Sequence, residues 1–228
     1  MDRTQEIAEN IYNWKKKLGS ADICAVTKTM PVSDINIALA NGIKYIGENR
    51  VQELMGKLPD IDKGASVQLI GRLQTNKVKY LIGNVDRIQS VDRVELAREI
   101  SRLSAKKGIV TDCLIEVSIA GEEQKGGVPL DGLFPLLGEI GTMPGISVSG
   151  LMCVMPAADD PQSLRPLFKK MRALFEEAGR LSVPNVRMET LSMGMTNDCL
   201  VAAECGSTMV RIGRGIFGSR TNLSEDRK

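Results

Sequence analysis

The chain has 228 residues, with 30 Lys and Arg against 28 Asp and Glu, a balance that gives no electrostatic argument for a nucleic-acid or membrane partner. It contains no histidine, so Ser-His-Asp and Cys-His catalysis and His-ligated metals are excluded, and acid–base chemistry must come from Lys, Cys, Tyr, Asp or Glu. The five cysteines, Cys24, Cys113, Cys153, Cys199 and Cys205, form no CxxC, as expected of reduced, mostly buried thiols in a cytoplasmic protein.

The opening MDRTQEIAEN is too polar for a signal peptide, and no apolar run reaches the length of a membrane span. Ile7, Ile11, Trp14 and Leu18 share one face of a predicted helix that Gly19 ends. ICAVTK (23–28) reads as a strand, followed by a helix with Ser33 as its cap and Ile35, Ala38 and Leu39 inward. KYIGE (44–48) precedes a helix through Val51, Leu54 and Leu58, and VQLIG (67–71) precedes one capped by Thr75 with Val78 and Leu81 inward. RIQSV (87–91) leads to a helix capped by Asp92 with Val94, Ala97, Ile100 and Leu103 on its face. CLIEVSI (113–119) is followed by a helix over 129–140, and ISVSGLMCV (146–154) by the clearest helix of the chain. That helix has Pro161 in its first turn and Leu164, Leu167, Phe168, Met171, Leu174, Phe175 and Leu181 at three- and four-residue spacing. RMETLS (187–192) precedes a helix capped by Thr196 and running through Leu200 and Ala203, and TMVRIG (208–213) is the last strand.

Eight strand–helix units of this kind imply parallel strands, and in this length they favour a closed (β/α)8 barrel of TIM type, an α/β fold, over an open sheet. A single domain is expected over 1–228, with the helix in residues 1–20 covering the place of a shortened eighth helix and residues 221–228 frayed.

Barrels carry chemistry at the C-terminal ends of their strands and favour phosphate at the loops after strands seven and eight. Those loops here are LSMGMTND (191–198) and RIGRGIFG (211–218). Gly194, Gly213 and Gly215 let backbone amides approach an anion, Ser192 and Thr196 add hydroxyls, and Arg211 and Arg214 add positive charge. Each motif alone reads equally as a tight turn, but their coincidence on these two loops favours a phosphate cradle. Lys28, at the end of the first strand, reads either as a snorkelling strand-end lysine or as an amine that burial and nearby cations make nucleophilic enough to form a Schiff base with a carbonyl. Cradle and lysine together suit a phosphorylated aldehyde, either pyridoxal 5′-phosphate or a phosphorylated sugar in a lysine-dependent aldolase.

The segments AVTKTMP, IGENRVQE, LIGRLQTNK, SVDR, GLMCVMP, LSMGMTND and GSTMVRIGRGIFGSR together resemble the YggS/PROSC family of pyridoxal-phosphate homeostasis proteins, over nearly the whole chain. The resemblance implies an alanine-racemase-like barrel with pyridoxal 5′-phosphate as cofactor, bound through Lys28. Asn49 would lie near the cofactor ring. Ser192, Met193, Gly194, Thr196, Gly213 and Gly215 would surround the phosphate, and Arg211 would meet either the phosphate or the ring nitrogen. Gln68 stands where family members often have histidine, Thr27 and Thr196 where serine is common, and Arg214 where a small residue is common. Lys125, in GEEQKGG, matches a family lysine that is either a secondary amine for the aldehyde or a solvated loop residue.

The family reading makes the protein a carrier that buffers or delivers the cofactor for vitamin B6 homeostasis, with apoenzymes as transient partners. The alternative is a pyridoxal-phosphate-dependent amino-acid racemase, which needs a second proton-transfer group opposite Lys28. Tyr12, Tyr45 and Tyr80 are poor candidates for that group, so no enzymatic turnover is expected. A closed barrel has no free sheet edge, so a monomer is expected.

Overall fold

The short Val- and Ile-rich runs form eight strands in the computed structural model, which describes residues 2–121 and 126–218. They are β1 (Asp22–Val26), β2 (Tyr45–Glu48), β3 (Ser66–Leu69), β4 (Arg87–Val91), β5 (Thr111–Glu116), β6 (Ile146–Met152), β7 (Val186–Met195) and β8 (Met209–Ile212). Each pairs in parallel with the next, and β8 closes on β1 with Cys24 opposite Arg211. The helices are α1 (Arg3–Leu18), α2 (Val32–Ala40), α3 (Val51–Lys57), α4 (Val78–Leu81), α5 (Val94–Lys106), α6 (Leu133–Ile140), α7 (Arg165–Gly179), α8 (Cys199–Glu204) and α9 (Arg214–Phe217). The expected closed (β/α)8 barrel is therefore what the chain forms. No helix among the described residues is long and apolar enough to cross a membrane.

Two layers hold it together. Outside the barrel, Ile35, Leu54, Leu81, Ile100, Leu137, Phe168 and Met171 from the helices are wholly buried, as are Ile46, Leu69 and Ile88 from the strands. Burying each such side chain stabilises the fold by about 1.5–3 kcal/mol. Inside the barrel the filling is partly polar. Arg87 on β4 reaches Asp112 on β5 and Thr190 on β7, and Gln89 on β4 reaches Ser192 on β7. Contacts between strands so far apart in the order can form only across the lumen.

Helix α1 fills the place of an eighth outer helix, because α9 has only 4 residues. Asp2 caps α1 in a capping box with Gln5, and Gly19 ends it at φ 63°. Arg3 bonds Asp34 on α2 at 2.6 Å and the Phe217 carbonyl on α9 at 2.8 Å, and the Trp14 indole donates to the Gly215 carbonyl at 2.9 Å.

The four predicted caps do not form. Helix α2 starts at Val32 after Pro31, which leaves Ser33 inside its first turn. Thr75 opens a 3-10 turn, and its hydroxyl accepts from Arg93 instead. Asp92 pairs with Arg93, which is the residue at the start of α5. Thr196 precedes Asp198, the N-cap of α8, and that late start leaves Leu200 exposed. Leu181 lies beyond the end of α7 and is exposed as well.

Candidate functional site

A cavity of about 430 Å³ opens at the C-terminal ends of β1, β6, β7 and β8, large enough for a small-molecule ligand. Its walls combine apolar groups, among them Met30, Met155, Pro156 and Phe217, with Lys28, Thr196, Asn197, Asp198, Arg211, Gly213 and Arg214.

Lys28 stands in a tight turn just past β1. The Met30 amide closes this turn on the Thr27 carbonyl at 3.0 Å, and Thr29 takes φ 64°. The strand ends at Val26, two residues earlier than expected, so Lys28 lies beyond the sheet instead of extending along it.

Arg211 points from β8 into the barrel and is buried. One guanidinium nitrogen donates to the Ser192 hydroxyl at 2.8 Å and the Ser192 carbonyl at 2.9 Å, and the other donates to the Cys153 carbonyl at 2.7 Å. The Ser192 hydroxyl in turn donates to Gln89, whose amide donates to Gln68. Gln68 is thus part of a non-titrating chain that runs across the lumen.

The β7–α8 loop is shaped by Asp198, whose carboxylate accepts the Met195 amide at 2.5 Å while its own amide donates to the Met195 carbonyl at 3.1 Å. Burial raises the Asp198 carboxyl above its ordinary value, opposed by the Met195 amide and by Arg211. The amides of Thr196 and Asn197, held within this turn, donate to no group among the described residues. Gly194 sits beneath at φ +94°, with Ala202 of α8 only 2.5 Å from where a Cβ would stand.

Of the residues predicted from sequence, Lys28, Thr196, Arg211 and Gly213 line the cavity. Ser192 and Met193 are wholly buried below it, and Gly194 shapes the loop from below. Gly215 faces the other way, with Trp14 Nε1 2.6 Å from a would-be Cβ. Asn49 follows β2 and is not among the residues lining the cavity; its Oδ1 is buried with no hydrogen-bond partner among the described residues. Lys125 lies outside the described residues. Cys24 and Cys153 are buried, and that burial pushes their thiols up to about 12, consistent with inert cysteines.

Three features escaped the sequence. Glu116 ends β5 as a buried carboxyl pushed up to about 7, by burial first and then by Asp92, against Arg211 and Arg72. Asp198 shapes the β7–α8 loop through the Met195 amide and is the N-cap residue of α8. Lys57, Glu53 and Glu48 form a charge cluster beside the Lys28 turn; the four-residue spacing of Glu53 and Lys57 on one helix was the available signal.

Residues 3–221 match the family model described as alanine racemase, N-terminal domain. The chain belongs to this family. A pyridoxal phosphate homeostasis protein of Aquifex aeolicus is 43% identical over 96% of this chain and 97% of its own, which bears out the resemblance read from the motifs. The structure of PipY from Synechococcus elongatus with PLP bound superposes with a TM-score of 0.85 at 30% identity, covering 93% of this chain and all of that one. Alanine racemase of Corynebacterium glutamicum shares the fold, with a TM-score of 0.76 at 18% identity. It covers 95% of this chain, but this chain spans only 62% of the racemase.

Proposed function

We propose that this protein binds pyridoxal 5′-phosphate and buffers or delivers it, holding it as a Schiff base on Lys28. The observation that carries this reading is the convergence on one cavity of the Lys28 amine, the buried Arg211 guanidinium and the amides of Thr196 and Asn197, which donate to no group among the described residues. Its relatives' names and the PLP-bound neighbour support it.

The donor set fits such a cofactor. Pyridoxal 5′-phosphate would supply an aldehyde able to condense with a primary amine, with loss of one water, and Lys28 is the residue that would hold it. The Thr196 and Asn197 amides, with Gly213 and the Arg214 guanidinium, suit a phosphate dianion. Ser192, Met193 and Gly194 act from beneath, by holding Arg211 and the loop. Arg211 is anchored within the strand ends rather than on the loops, which supports a ring-side role. Because a guanidinium only donates, it would keep a ring nitrogen unprotonated and weaken the ring as an electron sink.

A carrier fits better than a racemase. Tyr12 and Tyr80 lie exposed on helices, Tyr45 begins β2, and none lines the cavity. We place the protein in the cytoplasm as a single-domain monomer that meets apoenzymes transiently.

Borohydride reduction of the loaded protein followed by peptide mass mapping tests the attachment. The label is expected on Lys28, and Lys28→Ala is expected to abolish the visible absorption. A label on Lys125 instead would overturn the assignment. Incubation with single L-amino acids is expected to give no D-enantiomer at ordinary enzymatic rates.

A further inference from the structure

The Lys28 turn is held in an unfavourable backbone conformation by charges outside the cavity. Thr29, a β-branched residue, occupies φ 64° at the third position of the turn, where glycine is usual. Its amide donates to Glu53 Oε1 at 2.5 Å. On the other side of Lys28, the Thr27 carbonyl accepts from Lys57 Nζ at 2.8 Å, and the Thr27 hydroxyl donates to Glu48 at 3.2 Å. Lys57 joins the two sides, with Glu48 Oε1 at 2.7 Å and Glu53 Oε1 at 2.6 Å. All three protons of its ammonium are thereby used. Burial works against the Glu53 charge, but Lys57, the Thr29 amide and Arg50 hold its carboxyl below the usual range.

We propose that Glu53 and Lys57 of α3 are positioning residues that fix the backbone on both sides of Lys28 and so aim its amine into the cavity. The inference rests on the reading that Lys28 takes the aldehyde. Neither residue lines the cavity, so any effect they have on that amine passes through the turn.

The test uses the full chain and two readouts. The first is the rate at which pyridoxal 5′-phosphate loads Lys28, followed by absorbance and trapped with borohydride. The second is amide exchange over residues 27–30 in the ligand-free protein. Glu53→Ala is expected to slow loading about tenfold, the equivalent of one weakened hydrogen-bonded turn, and to speed exchange in that segment alone. Glu53→Gln keeps an acceptor for Thr29 and is expected to load within about threefold of the parent. The decisive variant is Glu53→Ala with Thr29→Gly. Glycine takes a positive φ without support, so loading is expected to recover, which a merely structural role for Glu53 would not produce. Lys57→Arg is the gentler probe of the lysine, since Lys57→Met would strand the buried Glu48. Unchanged loading in Glu53→Ala, or no recovery with Thr29→Gly, overturns the inference. A parent protein that never forms a borohydride-stable bond at Lys28 instead overturns the binding reading itself.

Discussion

Arg211 and Ser192 meet twice, the guanidinium donating to both the hydroxyl and the carbonyl of the serine at 2.8 and 2.9 Å. Because arginine can only donate, the serine hydroxyl must pass its own proton onward, and it does so to Gln89 at 2.8 Å. Gln89 then donates to Gln68 at 2.5 Å, and Gln68 to Ser66 at 3.3 Å. The donors therefore run one way, from β8 through β7 and β4 to β3. A charge buried at the barrel mouth fixes the orientation of amides on the far side of the lumen.

Ser192→Ala is expected to destabilise the protein by about 1–3 kcal/mol, the cost of leaving a buried polar group unpaired. It removes one acceptor of Arg211 and leaves the Gln89 carbonyl oxygen without its donor. Gln89→Leu breaks the same chain one link on. Urea unfolding of both single variants and the double variant should give a double cost well below the sum of the singles. Simple additivity would mean that the links act independently.

Gly194→Ala is expected to cost about 2–4 kcal/mol through a positive φ and an overpacked contact with α8. The substitution adds no group to the cavity, yet it must shift the loop that carries Thr196 and Asn197. Weaker pyridoxal 5′-phosphate binding should therefore accompany the lowered urea midpoint. Unchanged affinity would show that the loop amides take no part.

Most strands were legible because a parallel strand covered on both faces reads as a short apolar run; RMETLS, half exposed along β7, is the exception. The helix starts were less so. Ser33, Thr75, Asp92 and Thr196 have the right side chains for caps, but Pro31, a 3-10 turn and two local pairings displace them. Lys28, Thr196, Arg211 and Gly213 could be placed at the cavity because motif and strand end coincide. The polar lumen was harder to see, although a glutamine within each of VQLIG and RIQSV was the visible anomaly. The Glu48–Lys57 pair joins a strand to a helix nine residues on, and only the folded chain brings those charges together.

The five thiols are buried, and Cys199, pushed up to about 11 by burial first and then by Asp198, resembles Cys24 and Cys153 in this respect. Ellman's reagent at about pH 8 is expected to label none of them in the folded protein, because burial keeps the reagent from all five. In denaturant all five should react. Rapid labelling of one thiol before unfolding would reveal an open route to it.

Glu116 makes stability depend on pH in a direction opposite to that of most carboxylates. Burial, and then Asp92, lift its carboxyl from an ordinary 4.5 to about 7 in the folded state. Between those two values the folded protein keeps a proton that the unfolded chain has released. Stability therefore falls as pH rises through this window and levels off above about 7, with a total loss of up to about 3 kcal/mol. Glu116→Gln carries no titrating proton at that position. It is expected to lose this slope and to be more stable than the parent above pH 7, with little difference below pH 4.5. Urea unfolding of the two proteins across that range measures the difference directly, and parallel pH profiles would show that the carboxyl is not held protonated by the fold.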